Sequence, residues 1–241
     1  MKCFENPRIA NWAIQQVQTK MDERHGNRTG ALHASEIFQC FRKTVLKRTI
    51  GAPPLAANTI LQFAVGQALQ EFFFGPEKDG LEAFGIILSA DRMVSDQVLE
   101  FKSTRMSYEG LPKDAHGKGI RGATKVRFDP LTNEYAKEWL VRCRAYCAAH
   151  SVRKAHIVVF FIYQSLMSAW TLEFTDEELA EAQSGIELRR YVITEHLTNG
   201  TLPSVTTRMG AWECKNCPFL IDHCLADLRA ASLDVEEPND N

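Results

Sequence analysis

Two groups of residues in this chain are of the types that do chemistry. The first is Cys214-x2-Cys217-x6-Cys224, three thiols near the end of the sequence. Thiolates so spaced hold soft metals, and a tetrahedral sulfur site wants four of them. Cys3, Cys40, Cys143 and Cys147 are the candidates for the fourth. Spacing alone does not separate zinc from an iron-sulfur cluster, and His223 beside Cys224 offers a nitrogen ligand in a zinc variant. The second group is Asp91, Glu100 and Lys102. If Ser95-Asp96 is a two-residue hairpin turn, paired positions sum to 191 and Asp91 falls across from Glu100, with Cβ atoms about 5 Å apart. Like charges opposed on a sheet need a cation between them. Mg²⁺ or Mn²⁺ on these oxygens would lower the pKa of a bound water and make it a nucleophile, with Lys102 orienting it or offsetting phosphate charge. The alternative is a solvated hairpin whose charges are surface decoration.

The elements that must position these groups follow from periodicity. Residues 6 to 24 look helical. The stretch 33 to 48 predicts one helix with Ser35 as N-cap and Ile37, Phe38, Phe41, Val45 and Leu46 on its apolar face. A further helix runs from about Asn58 to Phe73. The runs 83 to 94 and 97 to 104 read as the two arms of one hairpin, with Glu100 and Lys102 on one face and Leu99, Phe101 and Ser103 on the other. Residues 105 to 131 read as loop, 133 to 150 as helix, and 155 to 164 and 167 to 175 as strands. A long helix starts at Thr175, whose following acids suit the positive end of the helix dipole. This order implies a mixed α/β fold, a central mixed sheet flanked by helices.

The whole chain has 241 residues, is 45% hydrophobic and carries a net charge of -2, with enough apolar mass for one sizeable core. One domain over 1–232 and an acidic disordered tail over 233–241 are expected. No apolar run is long enough for a bilayer, and the first residues lack a signal sequence, so no membrane partner and a cytoplasmic location are expected. Seven cysteines without an export signal point to metal ligation or burial rather than disulfides. Cys143 and Cys147, one helical turn apart, read as small buried residues, and Cys3 as a bystander. Segment 113 to 128 carries Lys113, Lys118, Arg121, Lys125 and Arg127 among glycines, fit to track a phosphate backbone, or else an ordinary solvated loop. Tyr108 is placed to stack on a base. Arg42, Lys43, Lys47 and Arg48 form a second basic face.

Asp91 with Glu100-Phe101-Lys102 resembles the core of the PD-(D/E)XK nucleases, and "VLEFKST" resembles their RecB-like branch. That branch has a Gly-x3-His-Glu helix before the hairpin; here "GQALQE" has Gln70 in the histidine position. It also has a Gln-x3-Tyr helix after it; "RCRAY" keeps Tyr146 and has Arg142 in the glutamine position. The resemblance implies a metal site of Asp91, Glu100, Phe101 and Gln70, catalysis by Asp91, Glu100, Lys102 and Tyr146, and phosphate contact by Arg142. A Gln oxygen can still ligate Mg²⁺, more weakly than imidazole ligates Mn²⁺.

Ser35, Cys40 and Arg42 match the Ser-x4-Cys-x-Arg signature of the CRISPR-associated Cas-four exonucleases and their phage and AddB-type relatives, and the likeness runs from about 33 to 225. It implies that Cys40 joins Cys214, Cys217 and Cys224 around a [4Fe-4S] cluster, clamping the N-terminal helices to the C-terminal segment. The gap before Cys224 is six residues where the family has five. The implied activity is a Mg²⁺- or Mn²⁺-dependent exonuclease on single-stranded DNA ends, in CRISPR spacer acquisition beside the integrase or in phage DNA processing with a recombinase. Arg42, Lys118, Arg121, Lys125, Arg127 and Arg142 are the expected DNA contacts. The substitutions at positions 70 and 142 also admit a catalytically weak DNA-end-binding module of a larger assembly.

Overall fold

The computed structural model describes residues 7–25, 30–54, 56–75, 80–110, 123–205, 212–215 and 217–230. Cys3, Lys113, Lys118, Arg121 and the acidic tail lie outside them. The chain divides into two compact units: Phe74–Arg189, continuous in sequence, and a unit made of Met1–Phe73 together with Arg190–Asn241. Among the described residues no helix is long and apolar enough to cross a membrane.

The continuous unit is built on a mixed four-stranded sheet in the order β4 (Arg92–Val94), β5 (Gln97–Thr104), β8 (Lys154–Phe161), β9 (Leu166–Glu173). β4 and β9 run antiparallel to their neighbours, while β5 and β8 are parallel, Glu100 facing Ile157 and Lys102 facing Val159. Parallel neighbours need a crossover, and α5 (Lys137–His150) lies on that connection and packs on both strands. Its core-facing Cys143, Ala145, Tyr146 and Cys147 are all buried, so the cysteines one turn apart are packing residues, as expected. Phe128 stacks edge-on against Phe161 and Trp170 at 5.4 and 5.5 Å, closing an aromatic cluster at the sheet's far end.

The β4–β5 turn falls at Ser95 and Asp96, with φ of 47° and 59°. Two left-handed residues make the turn whose twist matches a hairpin, and Asp tolerates that conformation without glycine. The arm before it differs from the single strand expected over 83–94. It holds a separate hairpin of β2 (Leu81–Ala83) and β3 (Ile86–Leu88), reversing at Phe84 and Gly85, both at positive φ, before β4 begins. In the segment read as loop, β6 (Glu109–Gly110) and β7 (Val126–Arg127) form a short ribbon. The long helix α6 (Asp176–Asn199) starts as anticipated: the Thr175 hydroxyl accepts the Glu178 N–H at 3.2 Å, and the Glu178 carboxylate accepts the Thr175 N–H at 2.8 Å.

The discontinuous unit holds α1 (Pro7–His25), β1 (Leu32–His33), α2 (Ala34–Ile37), α3 (Phe41–Thr49), most of α4 (Ala57–Phe74), and the C-terminal α7 (Trp212–Lys215) and α8 (Leu225–Ala230). The single helix expected over 33–48 is broken. α2 starts after His33, not Ser35, and ends at Phe38; α3 starts after Cys40. The break is held by the Thr44 hydroxyl, which donates to the Glu36 carbonyl at 2.8 Å, and by Arg48, bidentate on Glu36 at 2.6 and 2.7 Å. Ile37, Phe38, Phe41, Val45 and Leu46 are buried, as their spacing foretold.

Candidate metal centre and four-cysteine cavity

On β5 the alternation of a pleated strand sends Leu99 and Phe101 one way and Glu100 and Lys102 the other. The Phe101 ring packs on Phe74 at 5.3 Å. Glu100 is only 2% exposed, and its Oε1 accepts a hydrogen bond from the Lys102 ammonium. Its Oε2 is buried with no hydrogen-bond partner. A buried carboxylate oxygen so left costs several kcal/mol by rough order unless something binds it.

Asp91 is the residue just before β4, and its Oδ2 accepts the Phe101 N–H at 2.6 Å. The side chain takes an amide that the ladder no longer serves, and so is tied to the strand that carries Glu100. Both carboxylates act on the same neighbours. Burial alone would pull the Lys102 ammonium down, but the charges of Glu100 and Asp91 hold it above its ordinary value. Burial first, and then Glu100, push the Tyr146 phenol well above its usual range, with Asp91 adding to the effect.

α5 supplies the other wall. Arg142, Cys143 and Tyr146, at helical spacing, lie within electrostatic reach of Glu100. Arg142 pairs with Glu138 one turn earlier, while its Nε is buried without a partner. Burial opposes the charged guanidinium, yet the surrounding carboxylates raise its pKa further. Burial, with Glu100 next, pushes the Cys143 thiol far up and keeps it protonated. Glu138 was not singled out from sequence, where its i, i+4 relation to Arg142 was the available signal, and Cys143 was read there as a candidate thiolate or a small buried residue, not as a neighbour of Glu100. A divalent cation fits this donor set, with a hard, buried and unpartnered oxygen at its centre. Gln70 lies on α4, in the discontinuous unit.

The expected DNA contacts are spread differently. Lys125 and Arg127 are exposed, Arg127 pairing with Glu109 at 3.0 Å. Lys118 and Arg121 lie outside the described residues. Tyr108, read as a residue that could stack on a base, packs its ring on Phe161 at 5.3 Å. Arg42, expected on an open basic face, is 8% exposed and turned into the C-terminal segment: it donates to the Pro203 carbonyl at 3.4 Å, to the His223 carbonyl at 2.7 Å, and pairs with Asp227 at 2.7 Å. Arg48 is likewise consumed, by Glu36 and by the carbonyls of Gly30 and Ala31.

Cys40 stands at the head of α3, and its N–H donates to the Glu213 carboxylate at 3.0 Å. It lines one cavity with Cys214, Cys217 and Cys224, together with Arg42, Lys43, Glu213, Val205, Phe219, Leu220 and Leu228. The three C-terminal cysteines pack on the buried cluster Val205, Leu220, Leu228. No described cysteine forms a disulfide. Burial raises the Cys40 and Cys217 thiols, and raises Cys224 to about 11 although Arg42 pulls it back. Among the described residues no three His, Cys, Asp or Glu side chains converge closely enough to hold a metal ion as they stand. What the fold supplies is the donor set, four thiols on one partly apolar cavity, which suits a soft metal or a sulfur cluster.

No family model matches the chain, and no curated protein matches it. The crystal structure of SSO0001 has a TM-score of 0.55 at 16% identity, covering 89% of this chain and 96% of that one. The crystal structure of LHK-Exo in complex with dAMP has a TM-score of 0.40 at 11% identity, covering 70% of this chain and 90% of that one. The chain therefore shares the mixed α/β fold of SSO0001 across most of its length.

Proposed function

We propose that the chain is a divalent-metal-dependent nuclease of the RecB-like PD-(D/E)XK type, an exonuclease on single-stranded DNA ends that carries a [4Fe-4S] cluster on Cys40, Cys214, Cys217 and Cys224. One observation carries this reading: the buried Oε2 of Glu100 without a partner, beside Asp91 and Lys102. Three carboxylates, Asp91, Glu100 and Glu138, face two cations, Lys102 and Arg142, so the group has room for added positive charge.

Asp91 and Glu100 would hold the metal, which supplies Lewis acidity toward phosphate and water. Lys102, whose ammonium Glu100 and Asp91 hold above its ordinary value, would orient the attacking water or offset charge on the phosphate. Tyr146 remains a neutral donor. The unused Nε–H of Arg142 is suited to a phosphate oxygen. The four-cysteine cavity lies among residues from both ends of the chain, which favours a structural role for the cluster. A DNA-processing setting such as CRISPR spacer acquisition, with the integrase, or phage recombination follows from the sequence resemblance.

The test is degradation of end-labelled single-stranded DNA with Mn²⁺ by the anaerobically purified wild type, Lys102→Ala and Glu100→Gln, with circular dichroism to verify folding. Degradation that falls by about 100-fold or more in both variants supports the enzyme. DNA binding without degradation by the wild type supports the end-binding module instead.

A further inference from the structure

Arg42 is the one buried arginine of the cysteine cavity, and its bonds account for most of its donors. One terminal nitrogen, Nη2, serves the His223 carbonyl and the Asp227 carboxylate, both at 2.7 Å, and the other, Nη1, reaches the Pro203 carbonyl at 3.4 Å. His223 immediately precedes Cys224, and Asp227 lies one turn after it. The side chain therefore brackets the last cysteine from both sides. Its Nε is buried and without a hydrogen-bond partner, although the side chain lines the cavity shared by the four thiols. An unpaired N–H on a buried cation is costly, and a sulfur acceptor brought into the cavity relieves that cost.

Resting on the cluster reading above, we infer that Arg42 is a positioning residue for the iron-sulfur cluster: it holds the turn that carries Cys224 and directs its buried Nε–H to cluster sulfur. The guanidinium performs two tasks that a lysine cannot combine, since one ammonium cannot span Pro203 and His223 and also donate inward. A nearby donor with positive charge favours the reduced, more negative cluster, so it also raises the reduction potential.

The experiment uses the full chain, purified anaerobically, as wild type, Arg42→Lys, Arg42→Gln and Asp227→Asn. Iron and acid-labile sulfide per chain, the rate of bleaching by a chelator, and the midpoint potential are measured. The expectation is about tenfold faster bleaching in both Arg42 variants. In Arg42→Gln the potential falls by about 59 mV, a tenfold loss of relative affinity for the electron. Asp227→Asn, which leaves both main-chain bonds in place, bleaches within about twofold of wild type. Should Arg42→Gln not fold, Arg42→Lys decides by its bleaching rate. Arg42 variants that load, bleach and titrate like wild type overturn the inference while leaving the cluster intact. A wild type without iron or sulfide overturns the cluster reading and this inference with it.

Discussion

The Cys40 amide donates to the Glu213 carboxylate at 3.0 Å across 173 positions of sequence. Glu213 is buried, adjacent to Cys214, and the bond ties the start of α3 to α7. Glu213→Ala leaves a partly buried N–H unmet and is expected to destabilise the protein by about 2 kcal/mol, whereas Glu213→Gln keeps an acceptor and costs roughly half as much. Urea unfolding, with the slope held constant between variants, measures both.

Lys102→Met removes the only hydrogen-bond donor to the Glu100 carboxylate among the described residues and leaves the acid buried. The loss is about 3 kcal/mol in metal-free buffer. Millimolar Mn²⁺ is expected to recover part of that loss, because a cation replaces the ammonium. Thermal unfolding with and without EDTA reads the difference, and a deficit indifferent to Mn²⁺ would count against metal at this site.

Arg142→Gln takes a fixed positive charge away from Glu100. Divalent cations should then bind roughly tenfold more tightly, the scale of one charge at intermediate dielectric. Calorimetric titration of Mn²⁺ into the two proteins gives the ratio directly, without any turnover.

Glu36 supplies a pH signature in the other unit. Burial works to raise its carboxyl, but the Arg48 guanidinium and the His33 N–H prevail and hold it below its ordinary value of 4.5. A depressed folded-state pKa contributes stability that is present above the unfolded value and is lost as pH falls through the folded one. Glu36→Gln should therefore cost about 2 kcal/mol at pH 7, and the gap to wild type should close as the pH drops below 4. Denaturation curves at pH 7, 5 and 3 test the sign.

Much of the acidic site was legible because its determinants are local. Ser95 and Asp96 set a register in which Arg92 meets Leu99, and the pleat then dictates that Glu100 and Lys102 share a face. The hairpin of β2 and β3 was hidden because Phe84 adopts a left-handed turn that a bulky residue rarely takes. The break between α2 and α3 was hidden for a different reason: no residue nearby forbids a continuous helix, and what ends it at Cys40 includes an acid near the other end of the sequence. The same holds for Arg42. Four basic residues on one helix read as a second basic face for DNA until the Pro203 and His223 carbonyls, unknowable from the helix itself, claim one of them.

The division of the chain also orders its birth. Residues 74–189 are contiguous and can fold as they leave the ribosome, but the thiol of Cys40 must wait until 224 has emerged before its partners exist. At the usual pace of translation that interval is on the order of ten seconds or more. If the proposed cluster forms, its assembly waits for the last of the four thiols, and a chain stopped before Cys224 would lack one of the proposed ligands.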